Sequence, residues 1–391
     1  MKSIIKNNNQ EWFDTTYIKS NLKSKSISGG ISTIGAQFIS FLISTGSTVI
    51  LARLLDPNDY GLIAMITSIT GFILIFKDFG LSSAVVQHPD IDHAKASLIF
   101  WLNLIIGAVL GILVIAIGPL AADFFDEPRL VKISYFFSLS AFISSASGLH
   151  YAILKRQMLF LPLSYIHIIA SFSGVAVGIL MAYFGLGYWA LVAIHVLSPF
   201  VSFILVLLIC RWRPSKISFK TNIKPFVNFG IGMTGFDLIN YFSRNMDNIL
   251  IGRFLGAAVL GLYSKAYQLL MLPIVQLRNP LNSVGISALS SLQSDKIKFR
   301  QYYKKFVFIL AFFSFPLVVY MGLFAKPLIL VVLGDKWIDS APIFQVLSIA
   351  AFIQPVASTR GLVLISLGKT KKYFIWGLAN AIFVTGGFLI G

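Results

Sequence analysis

Apolar runs of about 20 residues or more recur along the whole chain, each parted from the next by a short polar stretch. A run of that length, coiled as a helix rising about 1.5 Å per residue, crosses the roughly 30 Å hydrocarbon layer of a bilayer. Taken in order, the runs predict spans at 30–54, 61–86, 96–118, 130–154, 163–184, 188–210, 226–252, 257–287, 302–324 and 341–367. An eleventh opens near Tyr373. The pattern specifies an all-α polytopic membrane protein.

The first of these patterns is written twice. Shifted forward without gaps by 200 positions, Gly30 falls on Gly230, Gly35 on Gly235, Arg53 on Arg253, Leu55 on Leu255, Gly61 on Gly261 and Leu62 on Leu262. A repeat this long predicts two similar bundles of helices, and six spans before the linker make them parallel, related by a pseudo-twofold axis along the membrane normal. The expected layout is a tail at 1–26, an N-lobe at 27–212 with six spans, a basic linker at 213–225 and a C-lobe at 226–391 with five. The second bundle is one helix short and Gly391 closes an apolar run, so the chain is expected to be C-terminally incomplete.

Composition excludes a soluble reading: 57% of residues are hydrophobic and 12% charged, against roughly 25% charged in ordinary globular proteins. The net charge of +17 would suggest nucleic acid in a soluble protein. Here the basic residues crowd one side of the spans, with five in each of the tail, the 211–224 linker and the 296–305 loop, against five on the whole opposite side. That bias orients the N-terminus to the cytoplasm and needs no nucleic acid. Trp12, Phe13 and Tyr17 stand among the lysines of the tail, which either lies on the membrane as a short amphipathic helix or stays disordered. No signal-peptide pattern precedes the first span. The single Cys210 provides neither an intrachain disulfide nor a metal cluster, and nothing calls for a cofactor.

Charges within spans are costly and therefore functional candidates. Those well inside the spans are taken as Lys77, Asp78, Asp237, Arg244, Asp247, Lys265, Arg278 and Arg360. At about 100° per residue, Asp237, Asn240, Arg244 and Asp247 share one face of the seventh span, and Gln37, Ser40, Ser44 and Ser47 form the matching uncharged face of the first. Two polar stripes at equivalent places in two repeats most simply face each other across a cleft. The plainer readings are an Arg244–Asp247 pair serving helix packing, Arg278 and Arg360 snorkelling to the interface, and Lys77 neutralised by Asp78. Cations at two depths suit a crossing anion, with Arg offering paired contacts to phosphate oxygens.

An enzymatic reading has little to stand on. Asp90-Ile91-Asp92-His93 is a lone acidic pair in a short loop, better read as solvated than as a metal–nucleotide site. Gly107/Gly111 and Gly174/Gly178 are read as close helix packing.

The segment Ile50-Leu51-Ala52-Arg53-Leu54-Leu55-Asp56-Pro57-Asn58-Asp59-Tyr60-Gly61-Leu62, followed by Asp78-Phe79-Gly80-Leu81 and Val86-Gln87, resembles the opening of bacterial polysaccharide flippases. These are Wzx-type, colanic-acid-exporter-like members of the multidrug/oligosaccharidyl-lipid/polysaccharide (MOP) exporter superfamily. The resemblance implies two six-helix bundles around a cationic central cavity and a place in the bacterial inner membrane. It implies an undecaprenyl-diphosphate-linked oligosaccharide as substrate, moved from the cytoplasmic to the periplasmic leaflet alongside the polymerase and glycosyltransferases of its pathway. On that expectation Lys77, Arg278 and Arg360 receive the diphosphate, and Arg244 and Lys265 hold it in the outward-facing state. Gln37, Ser40, Ser44, Ser47 and Asn240 line the path with hydrogen-bonding groups, and Asp78, Asp237 or Asp247 couples Na⁺ or H⁺ movement. A drug or cation antiporter of the same superfamily would need an acidic cavity, and a glycan polymerase or acyltransferase a catalytic loop.

Overall fold

The computed structural model describes residues 9–14, 22–77, 80–88, 91–216, 224–293 and 295–367, with scattered positions from 369 to 387. Twelve α-helices are assigned among them. They are α1 (Leu22–Leu54), α2 (Pro57–Leu74), α3 (Leu81–Gln87), α4 (His93–Phe125), α5 (Arg129–Arg156), α6 (Phe160–Tyr183) and α7 (Trp189–Ile209). There follow α8 (Lys224–Ser291), α9 (Lys296–Leu323), α10 (Ala325–Val332), α11 (Ser340–Ala357) and α12 (Thr359–Ser366). Eight helical stretches among the described residues are long and apolar enough to cross a membrane. Their outer faces carry Ile105, Val109, Phe308, Phe312, Ile349 and Ile353 exposed, as lipid-facing surfaces require.

The expected seventh and eighth spans meet at Gly256, whose φ of 81° and ψ of 177° interrupt α8. The expected second span, 61–86, is not one helix. Its first part tightens through i→i+3 bonds from Ile75, Phe76 and Lys77. Gly80 then takes a left-handed φ of 64° before α3 begins. An apolar run conceals such a break, because a glycine at φ near +60° redirects the chain without a change of hydropathy.

The residues group into two compact units, one of 1–55 with 65–241 and one of 56–64 with 242–391. In the first, α5 packs against α3, α4 and α7, and α6 packs against α1 and α7. Small residues set these approaches. A Cβ at Gly107 would lie 2.6 Å from that of Ser145, and one at Gly174 or Gly178 would press on Ser198 or Ile194. The helix ends are closed locally. Asp92 Oδ1 accepts from Lys95 N at 2.8 Å at the start of α4, so the acidic loop residue is a helix cap. Arg156 of α5 donates to the carbonyls of Val85, Val86 and His88, which covers the C-terminal end of α3 with a cation.

Over residues 9–14 the tail is docked on the protein. Asn9–Trp12 form a 3₁₀ turn, and Trp12 is 1% exposed. Gln157 Nε2 donates to the carbonyls of Trp12 and Asp14 at 2.6 and 3.0 Å. The start of the linker is held at the same end: Trp212 donates from its indole to His93 Nδ1 at 3.0 Å. Ser215 N donates to Ser97 Oγ at 3.0 Å, and Phe13 meets Trp212 edge to face. A docked aromatic pair buries more apolar area than a loose tail would.

In the second unit, α9 packs against α10 and α11, and α12 against α11. The first turns of α2 belong to this unit and cross α8 closely. A Cβ at Gly61 would overlap the carbonyl of Ala257, and one at Gly261 would overlap the carbonyl of Pro57.

Candidate functional site

The bend after α2 has a consequence for the first unit: it leaves Lys77 exposed at the mouth of a cavity of about 590 Å³ between α3, α5, α6 and α7. Lys77, Lys155 and His167 bring its positive or protonatable groups, and Ser82, Ser147, Ser171 and Ser202 are among seven serines in its wall. No carboxylate lines it among the described residues. Tyr151 of α5 and Ser202 of α7 share a short hydrogen bond across it. Such a lining complements an anion that also carries hydroxyl groups.

Of these groups only Lys77 was singled out in the sequence. The signal for the others was present as spacing. Ser144, Ser147, Gly148, Tyr151 and Lys155 recur at three and four residues along α5, as do His167 and Ser171 on α6, and Ser198 and Ser202 on α7. Each set is one face of a helix. Serines in apolar helices read as packing residues, and Lys155 as a loop charge, so the stripes pass unnoticed.

The other predicted residues are found as follows. Gln37 and Ser44 of α1 are exposed, while Ser40 and Ser47 are half-buried. Asp247 is half-buried and accepts from the Tyr263 hydroxyl at 2.6 Å and from Asn248 N at 2.8 Å. Arg278 is half-buried, and Arg360 is exposed with its guanidinium 5.8 Å from the centroid of the Trp376 ring. Asp78 and the side chains of Asp237, Asn240 and Arg244 lie outside the described residues. Lys265 is 7% exposed. Its ammonium donates to Gln268 Oε1 at 2.8 Å and stands 4.0 Å over the Tyr60 ring, on a packed aromatic face rather than an open surface.

The segment that carries the resemblance is accounted for by packing. Asp59 Oδ2 accepts from Asp56 N at 3.1 Å at the start of α2. Asp56 pairs with Lys336 at 2.7 Å. Tyr60 lies between the Lys265 ammonium and Trp337, whose ring it meets edge to face at 5.3 Å. Gly61 allows the Ala257 carbonyl to approach. Asp56, Tyr60 and Gly61 thus join α2 to the rest of the second unit.

The family profile described as "Polysaccharide biosynthesis protein" matches residues 50–342. Among curated relatives, the teichuronic acid biosynthesis protein TuaB of Bacillus subtilis is 29% identical over 312 residues, 78% of this chain; the chain spans 64% of TuaB's length. The lipopolysaccharide biosynthesis protein WzxC of Escherichia coli is 24% identical over 393 residues, 95% of this chain and 79% of WzxC. Among solved structures, the lipid II flippase MurJ in an inward closed conformation superposes with a TM-score of 0.71 at 16% identity, covering 89% of this chain and 78% of MurJ. An inward-facing multidrug resistance MATE family transporter of the MOP superfamily gives 0.60 at 15% identity, covering 88% and 82%. These two likenesses are of fold. With three quarters of its length inside the profile, the chain belongs to the polysaccharide biosynthesis protein family, and its all-α fold is that of MurJ and the MATE transporters of the MOP superfamily.

Proposed function

We propose that this protein carries an undecaprenyl-diphosphate-linked oligosaccharide from the cytoplasmic to the periplasmic leaflet of the bacterial inner membrane by alternating access. The observation that carries the reading is the cavity of the first unit, where Lys77, Lys155 and His167 stand among serine hydroxyls with no carboxylate beside them among the described residues. That lining offers charge to a diphosphate and hydrogen bonds to a sugar, and it opposes the organic cations that a drug antiporter takes. The family assignment and the MurJ-like fold support the same class of cargo. The charge bias of the loops supports a cytoplasmic N-terminus.

In this reading Lys77 and Lys155 receive the diphosphate from the cytoplasmic side. Arg278, Arg360 and Arg244 take it over as access alternates, while Gln37, Ser40, Ser44, Ser47 and Asn240 line the path. Lys265, already occupied by Gln268 and Tyr60, plays a packing role instead of meeting the phosphate. Asp78, Asp237 and Asp247 remain the candidates for ion coupling. The lipid-linked glycan arrives from glycosyltransferases and leaves to a polymerase of the same pathway. The protein itself makes and breaks no covalent bond.

Proteoliposomes holding a fluorescent undecaprenyl-diphosphate oligosaccharide test this. Wild-type protein exposes the label to an external quencher, and a Lys77→Gln/Lys155→Gln double variant slows the process by roughly tenfold or more, as loss of charge-assisted contacts requires. Equal rates in the two proteins, or transport of organic cations instead of the glycolipid, overturn the proposal.

A further inference from the structure

α9 is longer than a bilayer needs. Its 28 residues reach about 42 Å, against a hydrocarbon layer of roughly 30 Å. Residues 306–323 carry no charge and cover about 27 Å of that layer. The turns just before them, 300–305, come to lie among the lipid headgroups. They contain Arg300, Lys304 and Lys305, all exposed, with Tyr302 and Tyr303 half-buried between them.

Gln301, Lys304, Lys305 and Phe308 follow one another at three and four residues, so they form one continuous patch on the helix surface. All four are exposed. Phe312 continues the same face a turn deeper, its ring stacked on that of Phe308 with centroids 6.0 Å apart. The buried residues Phe306, Leu310 and Ser314 take the opposite side of the helix. The patch therefore faces the bilayer: an apolar strip of two phenylalanines ends on two ammonium groups and an amide. α9 contains no acidic residue. Asp295, just before it, pairs with Lys298 at 3.3 Å, and Lys304 and Lys305 have no ion pair among the described residues.

Helix stability gives no reason for this arrangement. Arg300 and Lys304 repel each other at i,i+4, and the two adjacent lysines leave their charge unbalanced beside an apolar strip. Orienting the spans asks only for basic residues on that side, wherever they point. A phosphodiester balances them, because its oxygens accept from both ammonium groups. The Gln301 amide can bond the glycerol esters, while an acyl chain runs down over Phe308 and Phe312.

We infer that this patch docks an anionic phospholipid of the surrounding bilayer, its headgroup on Lys304, Lys305 and Gln301 and one chain on Phe308 and Phe312. The site lies within the second unit and does not depend on the cargo.

A reporter two turns below the lysines tests this. Phe312→Cys is labelled with bimane in the full chain; Cys210 is buried and stays unlabelled. The protein is placed in phosphatidylcholine–phosphatidylglycerol vesicles in which one lipid or the other has brominated, quenching chains. Phosphatidylglycerol should be favoured at the label by about tenfold, as two lysines at a membrane surface allow. Lys304→Gln/Lys305→Gln should bring the quenching ratio close to one. Lys296→Gln/Lys298→Gln removes the same charge about a Debye length away and should keep the ratio within about twofold of its starting value. A starting ratio near one, or equal losses in the two double variants, refutes the site. Relief of the quenching by undecaprenyl diphosphate at one molecule per protein identifies a carrier-lipid surface instead and overturns the phospholipid assignment.

Discussion

Gly61 and Gly261 occupy equivalent places in the two copies of the repeat, and each sits against the helix of the other. The carbonyl of Ala257 fills the space over Gly61, and the carbonyl of Pro57 fills the space over Gly261. Pro57 and Ala257 are themselves one repeat apart, so the contact maps onto itself under a twofold operation. Internal symmetry thus survives as a physical contact after most identities have diverged.

Alanine at either glycine must push a backbone carbonyl aside. Gly61→Ala or Gly261→Ala is expected to lower stability by roughly 1–3 kcal/mol, the range for overpacking a close contact. Gly111→Ala, whose Cβ would rest at an ordinary 3.4 Å from the Ser138 carbonyl, serves as the control and should cost little. Thermal unfolding in detergent measures all three, and equal melting temperatures would contradict the geometry.

Lys265→Met keeps the length of the side chain over Tyr60 and removes the charge. Exchanging a buried charge for an apolar group of similar volume is near neutral or stabilising, so the variant should transport within about twofold of wild type. A loss as deep as that of the Lys77/Lys155 double variant would return Lys265 to the substrate path. Lys265→Ala, by contrast, leaves a gap beside Tyr60 and should unfold earlier by about 2 kcal/mol or more.

Arg156 holds three carbonyls at the end of α3, the helix that brings Ser82 to the cavity. Arg156→Met strands those acceptors, at about 1–3 kcal/mol, and should lower both the melting temperature and glycolipid binding. Arg156→Lys restores the charge on a shorter side chain that does not reach all three carbonyls equally and should recover only part of each. Full recovery by lysine would mean that charge, not geometry, does the holding.

Gln157 grips the tail through two carbonyls. Gln157→Leu should loosen residues 9–14 by about 1–2 kcal/mol, a five- to thirtyfold change in the open population. Chymotrypsin cleavage after Trp12 or Phe13 should accelerate by that factor while the rest of the chain stays intact. Unchanged cleavage would show that the Phe13–Trp212 contact suffices.

Hydropathy alone located the long helices, because nothing but a span buries so continuous an apolar run. The tight seams at Gly107 and Gly174 were legible as pairs of glycines one helical turn apart. The interruption at Gly80 was not, since it costs no change of composition, and with it went the position of Lys77 on a bend. The contact of Lys265 with Tyr60 joins residues far apart in the chain, so no local pattern announces it. Apart from Lys155 at the end of α5, the serine faces of α5, α6 and α7 carry no charge, and only their convergence in space gives them meaning.

The exchange of residues 56–64 into the second unit has a consequence for biogenesis. That nine-residue piece leaves the ribosome long before Lys265, Trp337 and Ala257, the groups it must meet. Until they are made, Tyr60 and Gly61 have their docking face uncovered. The nascent chain therefore carries a vacant seat until α8 and the Trp337 turn have been made.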